Sequence, residues 1–500
     1  MGLDSDRRIY PFLLFLFFSS FLFGQEFNPR EDQVFRENEV TEIRVTLSEA
    51  DKAFLLANEN RFSETYVTAD VTFNNSSLNN ATVRNVGVRL RGNTARGHLK
   101  KSFKVDFREF GGEKFYRHKK INLKPNVNDP SHVRELLTMK LYRQMDVPAP
   151  RVAPAALYFN EEYMGVYLMI EQIDDEFVDR RFGHEDGFLY KCSFSATLED
   201  NGRLLNNELY ESKMNEENDT RAELQAFAEV LNNTSDENFR EEIQQVFQVD
   251  RFIRQLAVEA VTGHWDGYSY LNNNYYLFYD DHSGKFEFIA YDTDNTWGID
   301  WVSRDWATRD LNHFHRHGQA RPLTSRILEV PEYRNRYHAC LNKVFSLYFT
   351  QGELFPLLSD LEDLLDPYVE TDERFDASFG FSQDDFRRSF DYFDEGHVEY
   401  GLREFIEVRR TTGIGSVPEV DMGFCNFQDV SVYPNPSSTG QFRIIAKESN
   451  NPEVKVYDAF GKPVPHNIIT QENLPDLVQI NSPGTYLIQI DSKIFRVVVN

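Results

Sequence analysis

The chain has 500 residues, 41% of them hydrophobic, with 54 Lys and Arg against 80 Asp and Glu for a net charge of −26. That apolar content excludes wholesale disorder, and the length predicts about three folded units. The acidity excludes non-specific nucleic-acid binding, which needs cations to neutralise phosphate, so no nucleic-acid partner is expected. Three cysteines exclude a disulfide-built scaffold and a four-cysteine zinc site. They leave open one bridge plus a free thiol, or three lone buried thiols, the plainer reading.

In chain order, residues 1–25 carry Arg7-Arg8, an apolar run over 11–23, then Gly24-Gln25. This is the signal-peptide pattern, with cleavage expected near Gly24. The run is short for a membrane span, which needs about 20 residues. No comparable stretch follows, so no transmembrane span is expected after cleavage.

Residues 42–47 alternate as a strand, and Ser48 with Asp51 predicts a helix cap just after it. Strands follow at 66–73 and 86–90, with 103–107 as the hairpin partner of the latter. A helix is predicted over 131–145. Buried strands at 155–159 and 166–170 flank a turn at Asn160-Glu161-Glu162. Helices follow at 221–232 and 250–263, then a hairpin of 274–279 with 285–291. From 352 to 410 the pattern is helical and acidic. Between 353 and 395 there are 14 acids against three Arg, read as a solvated face. Residues 412–428 read as a Gly- and Pro-containing linker. Beyond it the period is two, with Pro, Gly and Asn turns, which predicts a small β-sandwich over 429–500. The fold class is α+β.

Three groups of residues could carry chemistry. Residues 89–104 hold Arg89, Arg91, Arg96, Lys100, Lys101 and Lys104 with no acid, around Gly92 and Gly97. A glycine-containing hairpin with convergent cations can close over phosphates; the plain alternative is a solvated basic hairpin. Asp292 and Asp294 follow a predicted strand end, and hard cations such as Mg²⁺ take one or two carboxylates plus phosphate oxygens. Asp266 follows helix 250–263, with Asn272, Asn273 and Asn274 shortly after. An Asp at a helix end, an Asn, a hairpin and then a metal carboxylate is the order of parts in a phosphoryl-transfer site. His313, His315 and His317 alternate, but their Asn, Arg and Gly neighbours read as a loop.

These residues resemble a known family. Val86-Gly-Val-Arg-Leu-Arg-Gly-Asn-Thr with Lys100-Lys-Ser-Phe-Lys, Asp129-Pro-Ser-His-Val-Arg-Glu-Leu, Tyr163-Met-Gly-Val-Tyr-Leu-Met-Ile-Glu171, Gly187-Phe-Leu-Tyr-Lys191 and Tyr291-Asp-Thr-Asp-Asn-Thr-Trp-Gly298 resemble, in order, the CotH-type spore-coat kinase family. The likeness covers about residues 40–345. It implies an atypical, two-lobed, protein-kinase-like domain over 26–411, with an acidic helical tail from about 350. It implies transfer of the ATP γ-phosphate to Ser or Thr of extracellular or surface proteins, with Mg²⁺ or Mn²⁺. Carried over, it makes Lys104 the phosphate lysine, supported by Arg91 and Lys101, and Glu171 a nucleotide contact. Asp266 becomes the catalytic base, Asn274, Asp292 and Asp294 the metal site, and Glu135 a partner of the lysine.

Val432-Tyr-Pro-Asn-Pro436, Val456-Tyr-Asp-Ala-Phe-Gly461 and Pro483-Gly-Thr-Tyr486 resemble the sorting domain of the type IX secretion system. That implies a secreted or cell-surface protein with the secretion machinery as a partner. The alternative is a catalytically silent surface or adhesive protein that keeps the kinase-like fold, since ATP is scarce outside the cell.

Overall fold

A computed structural model describes residues 32–92, 94–316 and 318–425, and beyond them 430–433, 441–446, 453–458, 461–471, 474–490 and 493–499. The signal-peptide segment 1–25 and the 434–440 part of the sorting motif lie outside the described residues. The chain divides into two compact units, with the boundary after Gln428. Among the described residues no helix is long and apolar enough to cross a membrane.

The larger unit opens on β1 (Thr41–Thr46) and α1 (Glu49–Leu56). Ser48 Oγ accepts from Asp51 N at 3.1 Å, the cap its sequence predicts. Then come β2 (Val67–Asn75), β3 (Leu78–Leu90), β4 (Phe103–Asp106), β5 (Lys120–Lys124), α2 (Arg134–Gln144), β6 (Val152–Phe159) and β7 (Glu162–Glu171). The seven strands close into a barrel, β1-β2-β3-β4-β5-β7-β6, sealed by parallel pairing of β1 with β6. Closure leaves no free sheet edge. Val86, Val88, Phe103, Val105, Ile121, Leu123, Tyr167 and Met169 fill its interior. The two-residue period therefore sends Arg89, Lys104, Asn122 and Lys124 to the outer face.

After the barrel come α3 (Asp175–Phe182), β8 (Gly187–Cys192), β9 (Tyr210–Met214), α4 (Ala222–Asn233), α5 (Asp236–Val246), α6 (Val249–Thr262), the short α7 (Tyr268–Leu271), β10 (Tyr275–Asp280) and β11 (Lys285–Ala290). The four strands form one sheet in the order β11-β10-β8-β9. Helix α6 is buried along nearly its whole length. The unit is completed by α8 (Pro322–Glu329), α9 (Pro331–Lys343), α10 (Gln351–Glu370), α11 (Gln383–Asp391) and α12 (Leu402–Ile414).

Three expectations need correction. The acidic segment is not only a solvated face: α10 buries Leu358, Leu361, Leu365 and Val369, and Asp372 just beyond it is itself buried. Asp372 Oδ2 accepts from Lys100 Nζ at 2.6 Å and from Val166 N at 3.0 Å. The 412–428 linker is also wrong as far as residue 425. Helix α12 runs to Ile414, Asn312 and Asn342 side chains hold the carbonyls of Ser416 and Pro418, and Cys425 is bonded to Cys340. Glycine and proline content reads as flexible, but long-range bonds pin this segment. The bridge settles the cysteines as one disulfide plus the buried thiol of Cys192.

Among its described residues the smaller unit has seven strands: β12 (Val430–Tyr433), β13 (Gln441–Ala446), β14 (Val454–Asp458), β15 (Asn467–Gln471), β16 (Leu474–Gln479), β17 (Gly484–Ile490) and β18 (Lys493–Val499). They make two antiparallel sheets, β12-β13-β16-β15 and β14-β17-β18. Phe442 and Val478 of the first share one apolar cluster with Val456, Ile488, Ile490 and Val497 of the second.

Candidate functional site

Helix α2 owes its position to Asp129. That carboxylate accepts from Ser131 N at 2.9 Å and Arg134 N at 2.9 Å and pairs with the buried Arg134 guanidinium. The first turn of α2 then carries Glu135, itself buried, beneath the end of β5. There Lys124 Nζ lies 2.9 Å from Glu135 Oε2 and 3.0 Å from Asp294 Oδ2, and also pairs with Asp292.

The two aspartates sit just past β11. Asp292 adopts φ +49°, a region that non-glycine residues rarely occupy and that collects at functional sites. Arg91 Nη2 donates to Tyr291 Oη at 2.9 Å, and the Lys191 ammonium stands 5.6 Å from the centre of the Tyr291 ring. Cations thus flank Asp292 from just past β3 and from β8. Burial opposes its charge, but Lys124 and Arg91 outweigh burial, and the Asp292 carboxyl is held below its usual range. Asp294 goes the other way: burial first, with Asp292 adding, raises it against the pull of Lys124.

Asp266 comes from the opposite side. Helix α6 ends at Gly263 in the left-handed region, φ +68°. Beneath the following loop, buried Glu259 accepts from Ser269 N and Oγ, both at 3.1 Å. A Cβ on Gly267 would lie 2.5 Å from Glu259 Oε1, so the loop packs directly onto this carboxyl. Asp266 is then gripped by three amides: Asn273 Nδ2 to Oδ1, and Asn274 and Asn295 Nδ2 to Oδ2, each at 3.0 Å. Burial, with Asp294 and Asp292 adding, pushes Asp266 up to about 6 despite these bonds.

Asp266, Asn274, Asp292 and Asp294 therefore come together, with Arg91 beside them. The lysine does not match. Lys104 lies on the same outer face, opposite Arg89 and Asn122 in the register, but the lysine that meets Glu135 and the aspartates is Lys124. Lys104 has no carboxylate partner among the described residues. Burial, with Arg91 and Arg89 adding, brings it down to about 7. Lys101 is structural, its Nζ donating to Arg96 O at 2.8 Å.

Glu171 is the clearest correction. It shares the inward parity of Met169, on the opposite face of β7 from Ile170, and its carboxylate is caged by Arg151, Arg180 and Arg181 at 2.8–2.9 Å. Burial works against its charge, but the three guanidinium groups hold it well below the usual carboxylate range. That side chain is not free for a nucleotide. The rest of the basic hairpin disperses in the same way: Arg89 and Arg96 pair with Glu64, and Lys100 with Asp372. His313 is bonded to Asp310 at 2.7 Å, and His317 lies outside the described residues.

The donor set fits a hard divalent cation. Asp292 and Asp294 offer carboxylate oxygens, and Asn274, whose Nδ2 is committed to Asp266, offers Oδ1. Carboxylates are in excess: Asp292, Asp294 and Glu135 cluster around Lys124, and burial first, with neighbouring aspartates adding, pushes Asp266 and Asp294 up.

A family model described as CotH kinase protein matches residues 88–412, well over half of the chain. The chain belongs to the CotH kinase family. Residues 431–499 match a secretion system C-terminal sorting domain. Inner spore coat protein H of Bacillus subtilis is 28% identical over 294 residues, 56% of this chain and 78% of that protein. Spore coat protein homolog 1 and Invasin CotH7 of Rhizopus delemar are each 24% identical over 49% of this chain, and the match covers 41% and 42% of their lengths. Among solved structures, the Helicobacter pylori proinflammatory kinase CtkA aligns with 10% identity over 66% of this chain and 94% of that one, with a TM-score of 0.21. A score that low bears no weight on the fold.

The CotH match runs through the acidic helices to 412, beyond the 40–345 covered by the residue likeness. What the sequence reading missed in this cluster is Lys124. Its signal was present: Ile121 and Leu123 alternate with Asn122 and Lys124 over 120–124. Five residues make a weak strand pattern, and the larger cation cluster at 89–104 drew the assignment away.

Proposed function

We propose that this chain is a secreted phosphotransferase that moves the ATP γ-phosphate to a Ser or Thr hydroxyl of an extracellular or surface protein. The observation that carries the reading is Lys124 held between Glu135 and the Asp292–Asp294 pair, with amide-gripped Asp266 facing them. In this reading the barrel and the helical part act as the two lobes of a kinase-like domain. Lys124, Lys104 and Arg91 hold phosphate oxygens, and Glu135 orients Lys124. Lys104, without a carboxylate partner among the described residues, gains an anionic partner in a nucleotide phosphate. Asp266 accepts the hydroxyl proton, its orientation fixed by Asn273, Asn274 and Asn295. Asp292, Asp294 and Asn274 would hold Mg²⁺, or Mn²⁺, which supplies charge neutralisation at the phosphates. Most of the acceleration then comes from positioning and electrostatics. The signal segment read from the sequence and a type IX reading of the sorting domain support a protein at the cell surface or beyond it, with the secretion machinery as a partner.

A second reading, a surface protein that keeps the fold without catalysis, is favoured by relatives named as spore coat proteins and an invasin. Thermal unfolding of the full chain separates the two, because a ligand that binds only the folded state raises its stability. A Tm rise with ATP and Mg²⁺ that vanishes in Asp292→Ala supports the phosphotransferase. No shift at millimolar ATP supports the silent surface protein.

A further inference from the structure

At the far end of the hairpin that carries the candidate site, two loops bring together His184, Asp186, Asp280 and His282. Helix α3 ends at Gly183 in the left-handed region, φ +82°, which turns the chain directly into His184. Strand β8 then begins at Gly187, paired with Asp280 on β10, and Asp280 in turn faces Lys285 on β11. Gly187 is required there, since a Cβ would lie 1.9 Å from Tyr279 O. This register fixes the 184–186 loop against the β10–β11 turn, and Asp281 N donates to Asp186 O at 3.4 Å. The turn is also set: Asp280 Oδ1 accepts from His282 N at 2.9 Å, and Gly284 N donates to Asp280 O at 2.8 Å.

The side chains converge. The imidazoles of His184 and His282 stack with centroids 3.8 Å apart. His282 Nε2 lies 2.9 Å from Asp186 Oδ2, and His184 Nε2 lies 3.2 Å from Asp280 Oδ1. One ligand atom each from His184, Asp186 and His282 falls within 4.8 Å of the others. A tetrahedral zinc site with bonds of 2.0–2.1 Å has ligand atoms about 3.3 Å apart. The His–carboxylate separations are close to that edge length before any adjustment.

We propose that His184, Asp186 and His282, with Asp280 as the fourth ligand, form a structural site for a divalent transition metal of the zinc type. Two imidazoles and two carboxylates suit zinc in charge and hardness, where an all-oxygen set would suit Mg²⁺ or Ca²⁺. Four protein ligands leave no open position, so the metal works as a staple. It joins the end of α3 to the turn of the hairpin whose other end carries Asn274 and Asp292. The six-residue strand β10 puts about 20 Å between staple and catalytic carboxylates, so the proposal stands whether or not the chain transfers phosphate.

The test is equilibrium dialysis of the full chain against Zn²⁺ with excess Mg²⁺, followed by metal analysis. Absorption of the Co²⁺-loaded protein reads the ligand geometry. One Zn²⁺ per chain is expected, with a tetrahedral Co²⁺ spectrum and at least a tenfold loss of affinity in His282→Ala and in Asp186→Asn. Both residues are exposed, so these variants are expected to fold, and unchanged far-UV circular dichroism confirms it. Asp292→Ala should bind zinc as the wild type does. Equal zinc binding by wild type and His282→Ala, binding lost instead in His313→Ala, or no zinc bound at all overturns the proposal.

Discussion

Lys124 and Glu135 meet as an ion pair, Nζ 2.9 Å from Oε2, where the end of β5 reaches the first turn of α2. Both are largely buried, and Lys124 reaches Asp294 at 3.0 Å in the same place. Burial opposes the Lys124 charge, but Asp292, Asp294 and Glu135 outweigh it and raise the ammonium well above its ordinary value. Lys124 is therefore a fixed cation at neutral pH.

Phosphotransfer should consequently depend on Lys124 more than on Lys104. Lys124→Met is expected to lower kcat by about 100-fold or more, the range seen when one preorganised donor is removed from a transition state. Lys104→Met should mainly raise the KM for ATP, because Lys104 has no role in holding the carboxylates. Steady-state kinetics on both variants, with Tm measured beside them, checks this. A Lys104 variant that is dead beside a Lys124 variant that works would restore the assignment read from the sequence.

The pH dependence should report Asp266. Its carboxyl is pushed up to about 6 by burial first and then by Asp294 and Asp292. Below that value it is protonated and cannot accept a proton. The acid limb of kcat/KM is therefore expected to fall tenfold per pH unit below about 6. Stability has the opposite sign. A folded pKa above the unfolded value near 3.9 means the native state binds more protons between about 4 and 6. Stability from this group is present below 4 and is lost as pH rises through 6. Asp266→Asn removes that penalty but also weakens the bonds to three amides. The variant should be inactive yet equal to the wild type in Tm at pH 7.5, or stabilised by about 1 kcal/mol. A variant with a normal acid limb and normal activity would sink the role of Asp266.

Asp372 should behave as a core residue despite its acidic surroundings. Replacing it with Ala leaves Lys100 buried without its partner and Val166 N without its acceptor. A loss of about 3–5 kcal/mol is expected. Asp363→Ala, at an exposed position of α10, should stay within about 0.5 kcal/mol. Gly165→Ala tests the same contact from the other side. Gly165 has φ +108°, and a Cβ there would lie 2.2 Å from Asp372 Oδ2. Denaturant titration of the three variants gives the comparison, and a mild Asp372→Ala would remove the tail from the core.

The same contact shows where the sequence stops being legible. Gly165 stands out within Tyr163-Met-Gly-Val, but nothing near it says why glycine is needed. The reason is Asp372, in a stretch whose composition reads as idle surface. Glu171 is the converse case: a carboxylate at a strand end looks available until Arg151, just before β6, and Arg180 and Arg181 of α3 close around it.

What the sequence alone determined is what depends on neighbours along the chain. The period of two and of 3.6 placed most strands and helices. The Ser48 cap follows from residues three apart. Asp266, Asn274, Asp292 and Asp294 could be named as candidates because their order and their positions at element ends are properties of the chain itself. The tertiary structure alone decided which lysine meets Glu135, which face of β7 holds Glu171, which acid reaches Lys100 and which two cysteines join. Each of these is a contact between segments far apart in sequence. Strand register and barrel closure set such contacts, and a one-residue change of register turns every side chain to the other face.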